Sequence, residues 1–225
     1  MGAFRAISRP SVTGATYSNG MRIVIAPDSF KESVTATEAA AALARGVRAV
    51  FPDAECVEVP LADGGEGFTE AMADALHGEI REVEVVDCLG RPTTATFALA
   101  PSDSGAVAVI EGAKAIGLEM ITPEDRDIFN SDTRGLGMLI RAALDAGATE
   151  LVIGIGGSAT NDAGAGMLAE LGLKVYNEAG EIIPTTPAAL QHAHRIDTDG
   201  LDERLAKATI RTACDVSNPL LGENG

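Results

Sequence analysis

Basic side chains are scarce in this chain: 17 Lys and Arg stand against 33 Asp and Glu, for a net charge of −16 over 225 residues. Such a surface repels phosphate backbones and anionic bilayers, which argues against nucleic-acid and membrane-surface partners. Cysteine is equally sparse. Cys56, Cys88 and Cys214 are odd in number and far apart, which gives neither a disulfide framework nor zinc-site spacing and fits a reducing cytosol. His77, His192 and His194 form no H-E-x-x-H pair. No apolar run reaches the roughly 18 residues of a membrane-spanning helix. The P-loop pattern G-x-x-x-x-G-K-[ST] is missing, as are the H-R-D and D-F-G signatures of protein kinases. Gly156-Gly-Ser-Ala-Thr160 lacks the final glycine of a nucleophile elbow. Repeats and low-complexity tracts are absent too.

What is present is a 46% hydrophobic chain, enough for one sizeable core or two small ones. Residues 1–20 differ from the rest: they contain no acid, carry Arg5 and Arg9, and are rich in small polar residues. They read as a disordered leader. Its composition fits a transit peptide without a clear amphipathic helix, an upstream-extended start, or an expression remnant. Order begins at Met21-Arg-Ile-Val-Ile-Ala26, a buried strand ended by Pro27 and Asp28. Thr37 to Phe51 has helical periodicity, with Leu43, Val47 and Val50 on the expected buried face. A strand at Cys56–Pro60, a polar turn and a helix to His77 repeat the unit, and this alternation favours a parallel sheet. Glu82–Val86 and Thr94–Leu99 alternate around Leu89-Gly-Arg-Pro92, the pattern of an antiparallel hairpin, and open a second subdomain. Beyond it come a strand at Ala106–Ile110, a helix at Leu136–Ala146, and a strand, loop, helix, strand unit from Leu151 to Tyr176. Helices to His192 and at Leu201–Lys207 and a strand at Thr209–Ala213 complete the expectation.

Three turns carry chemistry. Ala26-Pro-Asp-Ser-Phe-Lys31 sets a carboxylate, a hydroxyl and an ammonium at the carboxyl end of the first strand, where open α/β sheets bind ligands. There Asp28 can hold Mg²⁺ or take a proton, and Lys31 can neutralise a phosphate or carboxylate. Ala62-Asp-Gly-Gly-Glu-Gly67 ends the second strand. Its glycines Gly64, Gly65 and Gly67 let backbone approach an anion and leave amides free at a helix start, beside the carboxylates of Asp63 and Glu66. Together they look like half of an acidic Mg²⁺-nucleotide site. Gly154-Ile-Gly-Gly-Ser-Ala-Thr-Asn-Asp-Ala-Gly-Ala-Gly166 follows a buried strand and presents Ser158, Thr160, Asn161 and Asp162. The same stretch matches G-x-G-x-x-A at Gly154, Gly156 and Ala159, with Glu178 about twenty residues on, so an NAD-dependent oxidoreductase is the rival reading. A non-catalytic fragment is the third.

Taken in order, Ala26-Pro-Asp-Ser-Phe-Lys-Glu-Ser33, Ala62-Asp-Gly-Gly-Glu-Gly67, Gly154-Ile-Gly-Gly-Ser-Ala-Thr-Asn-Asp162 and Cys214-Asp-Val-Ser-Asn-Pro-Leu220 closely resemble the bacterial glycerate kinases that lack a P-loop. The resemblance implies ATP- and Mg²⁺-dependent phosphorylation of D-glycerate, with the 2-phosphate favoured over the 3-phosphate, in the cytoplasm; a homodimer is compatible with it. It also implies an α/β fold: a flavodoxin-like parallel-sheet domain, begun by residues 21–85, and a second mixed α/β domain over 86–225. The first domain would draw its remainder from a C-terminal part that the family has and this sequence does not, so the chain reads as truncated. On this reading Asp28 or Asp162 orients and deprotonates the hydroxyl, and Lys31 meets the transferred phosphoryl group or the substrate carboxylate. Asp63 and Glu66 hold Mg²⁺, while Gly156, Gly157 and Ser158 cradle an anion and Asp215 adds a polar contact. Ala163 departs from the family pattern, which usually has glycine there, and Ala113 stands where methionine often follows in Glu111-Gly-Ala113.

Overall fold

The first ordered unit is held by a local signal. Thr35-Ala-Thr-Glu38 forms a capping box: the Thr35 hydroxyl accepts the Glu38 amide at 3.2 Å, and the Glu38 carboxylate accepts the Thr35 amide at 3.0 Å. It starts α1 (Ala36–Val50), which follows β1 (Arg22–Ile25) and leads to β2 (Glu55–Glu58). β1 and β2 pair in parallel, Arg22 opposite Glu55 and Ile25 opposite Glu58. The computed structural model of the chain describes residues 20–30, 33–214, 219 and 221–223.

The buried face of α1 is not the expected one. Ala39, Ala40 and Ala44 are buried, Ala40 and Ala44 beside Ile25, whereas Leu43 and Val50 are 51% and 69% exposed and Val47 is half-buried. A two-stranded sheet offers only a narrow strip to cover, and an alanine face lets the helix approach it closely.

The main core surrounds a five-stranded sheet of β3 (Glu79–Val86), β4 (Pro92–Ser102), β5 (Gly105–Glu111), β6 (Glu150–Gly154) and β9 (Thr209–Ala213), in the order β3-β4-β5-β6-β9. The expected hairpin is present, with Val86 opposite Pro92 and Glu79 opposite Leu99. β4 and β5 are also antiparallel, and β6 lies parallel to both β5 and β9. The chain is therefore mixed α/β, with a small parallel sheet and a larger mixed one. The expected division at 85/86 falls at the end of β3.

Helices cover both faces of the large sheet. α4 (Arg134–Asp145) buries Leu136, Leu139, Ile140 and Leu144 in one cluster with Phe97, Ile110 and Leu151, as its periodicity predicts. α2 (Phe68–Leu76) packs Phe68 and Ala73 with Ala98 and Val109. Two short helices, α3 (Ala113–Ile116) and α5 (Ala165–Glu170), follow β5 and β6.

Beyond α5 the structure departs from expectation. β7 (Lys174–Tyr176) does not join the main sheet; it pairs antiparallel with β8 (Arg195–Asp197), a strand too short to show a period. The place beside β6 goes to β9. The expected helix to His192 is the single turn α6 (Pro187–Leu190), and Leu201–Lys207 holds a 3₁₀ turn at Glu203–Ala206.

Candidate active site

Because β5, β6 and β9 run parallel, their carboxyl ends lie side by side, with Glu111 opposite Gly154 and Gly154 opposite Ala213. The Ala62–Gly67 turn sits directly on this edge. The Gly156 amide donates to the Gly64 carbonyl at 3.2 Å. A Cβ added at Gly64 would lie 2.8 Å from the Ala213 carbonyl oxygen, and one added at Gly154 would lie 2.9 Å from the Phe68 ring. Glycine is required at both positions because backbone meets backbone there. Within the turn the Asp63 carboxylate accepts the Gly65 amide at 3.0 Å, Asp63 and Glu66 are exposed, and Gly67, at φ 82°, opens α2 without a capping side chain.

The first half of the glycine-rich stretch continues the same edge. Leu118 donates its amide to the Gly157 carbonyl at 2.8 Å, Ser158 bridges to Gly117, and the Ser158 hydroxyl donates to the Ile155 carbonyl at 3.3 Å. Gly64 and Gly65 thus lie against Gly156; Gly157 and Ser158 continue from it along Gly117 and Leu118, and Gly67 stands apart at the start of α2.

The second half turns inward. Asp162 is 2% exposed, and its Oδ2 accepts the Thr133 amide at 2.9 Å, the Thr133 hydroxyl at 2.7 Å and the Gly166 amide at 2.9 Å. Its Oδ1 accepts the Gly164 amide at 3.0 Å. One carboxylate therefore ties the start of α4 to the start of α5. Thr160 is half-buried and Asn161 exposed.

This geometry removes the dinucleotide reading. The fingerprint needs its glycines to open a helix directly, whereas Ala159 lies in the loop and α5 begins only at Ala165.

Asp28 stands exposed just beyond β1, its Oδ1 accepting the Ser29 amide at 2.6 Å. The Leu61 amide donates to the Pro27 carbonyl at 2.9 Å, which sets the two acidic turns next to one another in the fold. Lys31 and Asp215 lie outside the described residues. Among the described residues, no three His, Cys, Asp or Glu side chains gather as a metal site, and no helix is long and apolar enough to cross a membrane. Asp63 and Glu66 place two exposed carboxylates on one short turn, and Mg²⁺ commonly takes one or two carboxylates from a protein.

Two groups at this edge were not marked out by spacing. Glu111 ends β5 with 2% exposure, and burial pushes its carboxyl up to about 7 against the opposing charge of Lys114. Lys114, on α3, is ion-paired to Glu70 at 2.9 Å. Burial works against its charge, but the bond to Glu70 and the field of Glu111 hold the ammonium above its usual range. A polar residue closing an apolar strand was the one available signal.

The profile described as the glycerate kinase family matches residues 23–225. The chain is 50% identical over 205 residues to the glycerate 2-kinase of Escherichia coli K12, covering 91% of this chain and 53% of that protein. It is 49% identical to the glycerate kinase of Bacillus subtilis 168, with the same coverage. A crystal structure from Salmonella typhimurium LT2, whose protein carries the provisional designation glycerate kinase 2, superposes with a TM-score of 0.79 at 48% identity, over 92% of this chain and 55% of that one. The chain spans about half the length of the curated relatives it matches. The chain belongs to the glycerate kinase family.

Proposed function

We propose that this chain carries one wall of a kinase site that passes the γ-phosphoryl group of ATP to a hydroxyl of D-glycerate, the 2-hydroxyl favoured over the 3-hydroxyl. The observation that carries this reading is the stacking of two glycine turns, Gly64–Gly67 and Gly154–Ser158, on the carboxyl ends of β6 and β9, in a chain of this family. The preference for the 2-position rests on the relative named as a glycerate 2-kinase.

Phosphoryl transfer asks the protein mainly for alignment and charge neutralisation. The amides of Gly157 and Ser158 face the phosphates, Gly156 instead spends its amide on the Gly64 carbonyl and so holds the two turns together, and Gly64, Gly65 and Gly67 let the backbone come close. Thr160 and Asn161 extend this wall. Asp63 and Glu66 are the residues that would hold Mg²⁺, which when bound neutralises phosphate charge. Asp28, exposed beside this turn, orients the glycerate hydroxyl and takes its proton. Lys31 meets the phosphoryl group or substrate carboxylate, and Asp215 adds a polar contact. Asp162 contributes by position: its acceptor sites are already occupied by four N–H and O–H donors, so it fixes the loop.

The β1–β2 layer is, on this reading, the beginning of a flavodoxin-like domain. Its two strands leave Val24 61% exposed, and further strands would cover it. A cytoplasmic homodimer belongs to the same reading; sedimentation of the purified chain checks the dimer.

The test is ADP release by the purified chain with MgATP and D-glycerate, with L-lactate, which has no 3-hydroxyl, as control. Glycerate-dependent release supports the proposal, and ³¹P NMR of the product assigns the oxygen. Release no faster than with ATP alone overturns it for this chain.

A further inference from the structure

We propose that Glu111 is a positioning residue: from the end of β5 it caps α2 across the sheet and so holds the Asp63–Gly67 turn on the ends of β6 and β9. The proposal rests on the reading of that turn as a phosphate-facing wall.

A helix start leaves several N–H groups without intrahelical acceptors, and a residue at the N-cap commonly supplies one from its side chain. α2 cannot do this, because its N-cap is Gly67. The acceptor comes instead from another strand. The Thr69 amide donates to Glu111 Oε2 at 3.4 Å, while the preceding Phe68 amide donates within the turn to the Gly65 carbonyl at 3.1 Å. A carboxylate is also the side chain best matched to the positive end of a helix dipole.

The location makes this hold consequential. Glu111 pairs across the ladder with Gly154, the glycine that meets Phe68 and Gly64. Capping α2 at Thr69, next to the Phe68 that donates back to Gly65, therefore fixes the end of a continuous path from Gly64 on the strand ends to the first turn of the helix. Lys114 supports it from α3. Its ion pair to Glu70, in the same first turn of α2, and its proximity to Glu66 and Glu111 balance the acids around it.

A merely space-filling residue would serve as well with an apolar side chain. Glutamate at 2% exposure carries a desolvation penalty that an apolar residue does not. What it adds is an acceptor for the Thr69 amide. The neighbouring Thr69 hydroxyl, fully buried, has no partner among the described residues, so this corner holds more donors than Glu111 has satisfied.

The experiment compares the purified 225-residue chain with Glu111→Leu and Glu111→Gln, by hydrogen exchange and by calorimetric titration with MgADP. Exchange is read over residues 62–72, with the α4 segment 136–144 as internal reference. In Glu111→Leu, amides of 62–72 exchange about tenfold faster while α4 keeps its protection, and the dissociation constant for MgADP rises about tenfold. Glu111→Gln, which keeps one acceptor oxygen, falls between, and it serves alone if the leucine variant does not fold. Unchanged exchange over 62–72, or equal acceleration in both segments, overturns the proposal. If the parent chain binds no MgADP, the nucleotide reading of the wall fails, and with it the positioning role; local acceleration would then establish only that Glu111 caps α2.

Discussion

Gly64 and Gly154 meet backbone against backbone, the carbonyl of one lying where the other would carry a side chain. This contact joins a turn read as acidic and a loop read as anion-binding, 90 residues apart in sequence, into one surface. A single methyl group is enough to separate them. Gly154→Ala is expected to lower unfolding stability by about 1–3 kcal/mol, as forced overpacking does, and to weaken MgADP binding. Urea denaturation and titration calorimetry check the two effects, and an alanine variant as stable and as tight as the parent would show that the turn can shift freely.

Asp162 and Thr133 are joined by two buried hydrogen bonds, from the Thr133 amide at 2.9 Å and its hydroxyl at 2.7 Å. Replacing Asp162 with asparagine puts an amide NH₂ where one oxygen now accepts, among three backbone amides and a hydroxyl. Asp162→Asn is expected to cost about 3 kcal/mol or more, because donors are left facing a donor in a buried site. Chemical denaturation measures this. A variant of parental stability that has lost turnover would instead return Asp162 to the role of catalytic base.

Ala163 sits in the left-handed region at φ 55°, where a Cβ is crowded by the following carbonyl. Glycine, which the family resemblance leads one to expect at this position, has no Cβ to crowd. Ala163→Gly is expected to stabilise the chain by roughly 0.5–1 kcal/mol, the relief of strain exceeding the entropy glycine adds to the unfolded chain. Thermal melts of both proteins test it; a lower melting temperature for the glycine variant would refute the strain.

Glu111 makes stability depend on pH. Its carboxyl titrates near 7 in the folded chain against an ordinary value of 4.5, so between these values the folded state binds the extra proton. Stability therefore falls as pH rises from about 4.5 to 7, by about 3 kcal/mol from this group. Denaturation midpoints across that range should show the slope, and Glu111→Gln should flatten it. Identical slopes for parent and variant would mean that the group titrates normally.

Much of the large sheet was legible because its signals are local. The alternation in β3 and β4 and the Leu136, Leu139, Ile140, Leu144 stripe of α4 each specify which face is buried. The glycine turns are readable for the same reason: the conformations they need are set by a few consecutive residues. Periodicity alone began α1 at Thr37, and it is the structure that shows the capping box at Thr35.

Other features depended on what each element met. The alanine face of α1 won over Leu43 and Val50 because the partner sheet has only two strands, a fact no helical period contains. β7 left the main sheet for β8 and β9 took the place beside β6, since short strands carry too little pattern to name their neighbours. Asp162 and Glu111 show the limit most sharply. The sequence by itself determined that acids and glycines stand at the ends of strands, because strand, turn and residue type are local properties. Only the tertiary structure decided that Asp162 is spent on the backbone of α4 and α5, that Glu111 reaches α2, and that Gly64 rests on Gly154, because each depends on which distant amide lies within hydrogen-bonding or contact distance.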